Sequence, residues 1–100
     1  SGMILSNEPG YYRAGAFGIR IENLIVVRTA PKIDNQDDRA MLDFETLTYV
    51  PIDTRLIVAE MLSSDEKSWL NAYHGECAKR LEGQLSPEAA LWLTNATQPI

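Results

Sequence analysis

The chain has 100 residues, of which 45% are hydrophobic and 23% are charged. A chain of this length forms one small domain or part of a larger one, and its apolar content is enough for a core, which excludes a disordered protein. Its 14 acidic residues outnumber its 9 basic residues, giving a formal net charge of −5. We expect no nucleic-acid partner, because contact with a phosphate backbone needs a basic surface.

The longest strictly aliphatic run extends from Leu24 to Val27, far short of the roughly 20 apolar residues of a membrane-spanning helix. The sequence therefore predicts no membrane partner. No basic stretch followed by an apolar one, the pattern of a signal peptide, is visible near the N-terminus. The single cysteine, Cys77, cannot close a disulfide within the chain. It fits a reducing compartment, and a cytoplasmic location is the expectation.

The first half of the chain predicts about three β-strands. A short strand ends before Pro9 and Gly10, because proline has no N–H for a ladder and glycine permits positive φ. The glycine-bearing stretch 10–18 is predicted to be a loop, and the polar stretch 30–39 a connector. Alternating or continuous apolar patterns predict the strands at 3–5, 19–27 and 41–50, with the far end of the second strand buried on both faces.

The second half predicts two α-helices. Ser63 and Glu66 fit a capping box that begins a helix from about Ser64 to Glu82, which Gly83 ends. Ser86 and Pro87 suit the start of a second helix that runs to Asn95. The apolar side chains on the two helices are Trp69, Leu70, Tyr73, Cys77, Leu81, Leu91, Trp92 and Leu93.

Most familiar catalytic patterns are absent, including a glycine-rich phosphate loop, a C-x-x-C pair, an H-E-x-x-H motif and a G-x-S-x-G elbow. His74 is predicted to be a partly exposed residue or a hydrogen-bond donor between helices, not a metal ligand. Cys77 lies four residues after Tyr73 on the apolar stripe and is predicted to be a small core residue.

Two carboxylates occupy unusual places. Glu8 lies between a strand end and a Pro-Gly turn, and Glu22 lies within a predicted strand, where a lone charge would be costly to bury. Arg20 shares the face of Glu22, so one interpretation is a solvent-exposed ion pair that contributes about 0–1 kcal/mol. The alternative is that Glu22 binds a metal ion.

The segments around these carboxylates resemble a known family. Ser6-Asn7-Glu8-Pro9-Gly10-Tyr11-Tyr12 and Phe17-Gly18-Ile19-Arg20-Ile21-Glu22-Asn23 are similar to the last two metal-binding motifs of Xaa-Pro aminopeptidases (aminopeptidase P), which have the pita-bread fold. The resemblance continues through Leu47 to Asp53, Trp69 to His74, Trp92-Leu93 and Ala96 to Ile100, nearly the whole chain.

The resemblance implies that Glu8 and Glu22 are ligands of a two-metal centre, with Glu22 bridging both ions. It also implies that Arg20 supports the ligands and that Tyr12 lies beside the site. Two divalent ions, expected to be Mn²⁺, would be the cofactors, and a proline-containing peptide the substrate. The family's other ligands, two aspartates and a histidine, precede these motifs and are not present here. The isolated chain is therefore expected to be inactive and to bind Mn²⁺ weakly or not at all.

By this resemblance the chain is the C-terminal piece of a pita-bread fold of α+β class. Residues 1–50 would be the last strands of the catalytic domain, and residues 51–100 a helical C-terminal domain. The parent would remove the N-terminal residue from peptides with proline second. An alternative function is protein association, since this region forms dimer contacts in the family and a homo-oligomer is expected. A third possibility is a parent that kept the fold and lost its activity.

Overall fold

The computed structural model describes residues 1–100 as two compact units, Ser1–Thr48 and Tyr49–Ile100. The fold class is α+β, as predicted, but there are five strands and not three. The first unit contains β1 (Ile4–Asn7), β2 (Gly10–Arg13), β3 (Phe17–Arg20), β4 (Asn23–Thr29) and β5 (Leu42–Thr46). The second contains short 3₁₀ helices at Thr54–Leu56 and Ala59–Met61, then α1 (Ser64–Leu81) and α2 (Pro87–Ala96).

One pairing register runs through both sheets of the first unit. An antiparallel sheet has the order β1-β4-β5, and β2 pairs with β3 in a separate two-stranded sheet. Asn7 pairs with Asn23 at the end of the β1–β4 ladder, and Gly10 pairs with Arg20 at the start of the β2–β3 ladder. Pro9 interrupts the ladder because it has no N–H to donate. β1 and β2 therefore form one arm of a long hairpin and β3 and β4 form the other, with a short break in each arm.

The predicted loop at residues 10–18 is wrong, because this stretch forms the tip of the long hairpin. Gly15 turns the chain with φ of 70°, and the Ala16 N–H donates to the Arg13 carbonyl over 3.1 Å. The rings of Tyr11 and Phe17 lie 6.0 Å apart between their centroids. Of the three glycines in this stretch, only Gly15 is needed for the turn. Gly10 and Gly18 lie against the ring of Tyr12 instead.

The predicted second strand, 19–27, is divided by the break at Ile21 and Glu22. It is also less buried than expected, since only Val27 of its apolar run is buried and Leu24 is exposed. The third strand is shorter than predicted and ends at Thr46. The polar connector before it contains no regular strand or helix, in agreement with its charge and its proline.

The helix boundaries of the second unit agree closely with the sequence signals. The Ser63 hydroxyl accepts from the Glu66 N–H, and the Glu66 carboxylate accepts from the Ser63 N–H, completing the capping box. Gly83 has φ of 73°, the conformation that commonly ends a helix. Ser86 caps α2 by accepting from the Ala89 N–H. Neither helix is long and apolar enough to cross a membrane.

The core of the second unit lies along α1 and includes residues from α2. Its buried side chains are Leu70, Tyr73, His74, Cys77 and Leu93. Cys77 is therefore a core residue, as predicted, and burial raises the pKa of its thiol. Trp69, Leu91 and Trp92 lie outside this core and remain exposed.

The expectation of a partly exposed, donating His74 is wrong. The side chain is completely buried, and its Nε2 accepts from the Ile52 N–H over 3.1 Å. The neighbouring Tyr73 hydroxyl donates to the Val50 carbonyl over 2.9 Å. Two adjacent side chains of α1 thus hold the extended segment that follows Tyr49, where Pro51 prevents a strand from forming.

Burial of His74 predicts acid sensitivity. Its pKa falls below the ordinary 6.5, mainly because burial disfavours the charged ring. Unfolding exposes the ring and restores the higher pKa, so the unfolded state binds the proton more readily. The free energy of unfolding should therefore be constant above 6.5 and should decrease as the pH falls below this value. Urea unfolding of the chain between about pH 7.5 and 5 measures this dependence.

His74→Gln is the matched control, because an amide oxygen can still accept from Ile52 without titrating. The carboxyl groups with lowered pKa values remain ionised in this window, and His74 is the single histidine. The variant should therefore lose most of the pH dependence. An equal slope in the variant would show that another group is responsible.

Candidate metal centre

Glu8 and Glu22 lie opposite each other at the break in the long hairpin. Glu8 follows β1 directly and Glu22 precedes β4 directly. The pairing of Asn7 with Asn23 on one side and of Gly10 with Arg20 on the other leaves Glu8 facing Glu22 in the same register. The Ile21 N–H donates to the Pro9 carbonyl over 3.1 Å within the break, which keeps that register. Opposite residues of antiparallel strands present their side chains on one face.

Arg20 lies between the carboxylates and the hairpin tip. Its Nε is 3.0 Å from Oε2 of Glu22, and both side chains are about half exposed. The pKa of Arg20 is raised above its ordinary value, first by the Glu22 carboxylate, then by the Tyr12 hydroxyl and by Glu8. The guanidinium is therefore close enough to interact with all three groups.

Tyr12 lies flat across the hairpin because the residues around its ring are glycines. A Cβ on Gly18, which pairs with Tyr12, would lie 2.7 Å from Cδ1 of the tyrosine ring. A Cβ on Gly10 would lie 2.8 Å from the tyrosine hydroxyl oxygen. The two glycines thus leave room for the ring to extend along the strands towards Arg20.

The structure brings together the four residues that the sequence singled out, Glu8, Tyr12, Arg20 and Glu22, on one face of the hairpin. The exposed ion pair between Arg20 and Glu22 is present, and it is compatible with metal binding because Arg20 occupies only one carboxylate oxygen. Sequence reasoning assigned no role to Gly18. It interpreted Gly10 as a positive-φ residue that ends a strand, which is wrong, because Gly10 does not have a positive φ and begins β2. The available signal was the spacing, because Gly10 precedes Tyr12 by two residues and Gly18 precedes Arg20 by two. Residues two apart share a strand face, so this spacing indicates that the glycines lie on the same face as Tyr12 and Arg20.

The residues at this face suit a divalent metal ion in part. Carboxylate oxygens are the ligands that Mg²⁺, Ca²⁺ and Mn²⁺ prefer. Glu8 and Glu22 offer two carboxylates of this kind, but no group of three or more His, Cys, Asp or Glu side chains is positioned to hold an ion. His74 is buried in the core of the second unit, where its Nε2 accepts from the Ile52 N–H. The chain alone therefore provides an incomplete coordination shell.

Two family models match the chain. Residues 1–29 match the metallopeptidase family M24, and residues 40–100 match the C-terminal region of peptidase M24. The second match covers more than half of the chain. The chain therefore belongs to the M24 peptidase family.

Individual relatives agree with this assignment. The chain is 43% identical to "Aminopeptidase P1" of Lotus japonicus over 100% of its length, which is 15% of that protein. It is 46% identical to a "Probable Xaa-Pro aminopeptidase P" of Metarhizium robertsii over 99% of its length, or 16% of the relative. The chain thus spans about a sixth of the length of these relatives.

A solved structure shows the same fold. The X-prolyl aminopeptidase of Caenorhabditis elegans, described as a cytosolic enzyme with a di-nuclear active site, matches with a TM-score of 0.83 and 34% identity. The match covers 97% of this chain and 16% of that one. The chain is accordingly a C-terminal piece of the pita-bread fold, as the sequence predicted.

The packing of Tyr12 on glycine predicts that Gly18→Ala destabilises the first unit. The added methyl would overlap the tyrosine ring, and overpacking of this kind costs about 1–3 kcal/mol. Urea unfolding measures the loss. Combining the substitution with Tyr12→Ala removes the overlap and should recover part of it.

Gly75→Ala is the matched control, because its Cβ would meet no atom within 4 Å. It lies inside α1, where alanine stabilises a helix by about 1 kcal/mol relative to glycine. The two substitutions should therefore have opposite signs. Equal stability of wild type and Gly18→Ala would mean that the ring does not depend on the glycine.

Proposed function

We propose that the chain belongs to an enzyme that removes the N-terminal residue from peptides with proline in the second position. The observation that supports this most directly is the placement of Glu8 opposite Glu22, with Arg20 bonded to Glu22 at 3.0 Å. The names of the relatives and of the structural neighbour support the same activity. The chain would contribute two metal ligands and the C-terminal helices.

In this proposal Glu8 would hold one divalent ion and Glu22 would bridge two. A pair of such ions activates a water molecule and polarises the peptide carbonyl when bound. Arg20 would orient the Glu22 carboxylate and offset its charge, and Tyr12 would limit the movement of Arg20. We propose Mn²⁺ as the metal, because an oxygen-rich ligand set suits it.

We also propose that residues 1–50 complete the catalytic domain and that residues 51–100 form a separate helical domain. The division into units at Thr48 and Tyr49 supports this organisation, as do the two separate family matches. The isolated chain would be inactive, since two carboxylates leave most metal positions to other residues. The cytosolic description of the structural neighbour supports a cytoplasmic location.

The bridging role of Glu22 predicts that Glu22→Gln nearly abolishes peptide hydrolysis by the full-length protein. A neutral amide cannot hold two cations as a carboxylate does, so the loss should exceed the roughly 10–100-fold typical of groups that only support a ligand. Cleavage of a short peptide with proline second measures kcat and KM, and metal analysis measures bound Mn²⁺.

Glu45→Gln is the matched control in the same unit. Glu45 lies in β5 and its carboxylate is 3.7 Å from the Arg28 guanidinium, away from the break in the hairpin. This substitution should leave hydrolysis and metal content unchanged. Substantial turnover by Glu22→Gln would show that Glu22 is only a surface charge and not a metal ligand.

We propose association as a second function, because large apolar side chains of the helical unit are exposed. Trp69, Leu91 and Trp92 retain 55%, 65% and 57% of their accessible surface. Exposed apolar surface of this kind marks contact sites in many proteins. A second copy of the protein would cover these side chains, giving a homo-oligomer.

This association predicts that the 100-residue chain forms dimers or larger species. The net charge opposes assembly without preventing it. Sedimentation at several concentrations measures the distribution of species. Replacing Leu91 and Trp92 by glutamate should shift it towards monomer, since a charge cannot be buried there without a partner. A wild-type chain that stays monomeric at high concentration would contradict the proposal.

A further inference from the structure

The Thr48 side chain makes two hydrogen bonds beside the residue that follows Glu22. Its hydroxyl donates to Oδ1 of Asn23 over 2.8 Å. The same oxygen accepts from the Leu24 N–H over 3.0 Å. Thr48 therefore binds the start of β4 at two consecutive residues.

These bonds continue the β4–β5 ladder at the point where its backbone bonds end. Ile25 pairs with Thr46, and one residue further the Leu47 N–H donates to the Leu24 carbonyl over 2.8 Å. The return bond from the Leu24 N–H is made to the Thr48 hydroxyl. A side chain thus completes the ladder beside Asn23.

Asn23 is held from both sides. It retains 9% of its exposure and pairs with Asn7 of β1. On the other side its amide oxygen accepts from Thr48. A buried polar side chain is costly unless it is hydrogen-bonded, so this position tolerates little movement.

Glu22 is the residue directly before this anchor, in the short break where the ladder bonds are interrupted. Successive side chains of a strand point to opposite faces, so Asn23 does not share the face of Glu22. Asn23 therefore restricts the movement of Glu22 through the peptide unit that joins the two residues. The Thr48 hydroxyl in turn restrains Asn23 and Leu24 through its two hydrogen bonds.

We propose that Thr48 is a positioning residue for the Glu22 carboxylate. This role rests on the proposed function, in which Glu22 bridges two ions. Without the hydroxyl, the start of β4 would move more freely and the carboxylate would sample positions that hold the ions less well. The role requires the oxygen atom and not the methyl group of threonine.

The test compares Thr48→Val, Thr48→Ser and Thr94→Val in the full-length protein. Valine keeps the shape and removes the hydroxyl, serine restores the hydroxyl, and Thr94 is a control whose hydroxyl donates to the Ala90 carbonyl within α2. Titration calorimetry of the metal-free protein with Mn²⁺ measures affinity directly. Peptide cleavage gives kcat and KM, and thermal unfolding reports stability.

We expect Thr48→Val to weaken Mn²⁺ binding by about 10–100-fold, the usual effect of losing a group that supports a ligand. It should lower kcat more than it changes KM. Thr48→Ser should remain close to wild type, and Thr94→Val should be unchanged. Activity of Thr48→Val that recovers in excess Mn²⁺ would further support positioning.

A Thr48→Val protein that unfolds at lower temperature but keeps Mn²⁺ affinity and kcat within about twofold of wild type would overturn the proposal. Failure of Thr48→Ser to restore affinity would overturn it as well. Glu22→Gln distinguishes failure of the positioning role from failure of the proposed function. If Glu22→Gln abolishes activity and Thr48→Val does not affect it, only the positioning role fails. If Glu22→Gln is active, the proposed function and the role of Thr48 fail together.

Discussion

A proline inside a long β-hairpin is the constraint on which the first unit depends. Pro9 cannot donate to the opposite strand, so the ladder is broken, yet the Ile21 N–H still donates to its carbonyl. The register is therefore the same on both sides of the break. This combination places two like-charged side chains opposite each other, an arrangement that is unfavourable in a regular sheet unless a cation lies close by.

Arg20 is the positively charged side chain that lies beside these two carboxylates. Its bond to Glu22 offsets part of the repulsion between the carboxylates, and the glycines around Tyr12 allow an aromatic ring to lie beside it. The polar face of the hairpin is thus organised by backbone geometry as much as by charge. A larger residue at either glycine would disturb this face without changing its charge.

The second unit depends on a different interaction. Tyr73 and His74 of α1 bind the backbone of the Pro51-containing segment, which has no strand partner, and they form part of the core. A buried histidine that accepts a hydrogen bond must stay neutral, which links the packing of this unit to pH. The same helices bury a polar histidine but leave the apolar side chains of Trp69 and Trp92 exposed.

The sequence by itself determined the fold class and the helix boundaries, and it singled out the four residues that the structure brings to one face of the hairpin. Helix capping depends on neighbouring residues, so Ser63, Glu66 and Ser86 were readable in the chain. The hairpin at 10–18 and the burial of His74 were not, because strand pairing and core packing join residues that are distant in sequence. The contact of Gly18 with the Tyr12 ring and the hydrogen bond of Thr48 to Asn23 likewise follow only from the tertiary structure.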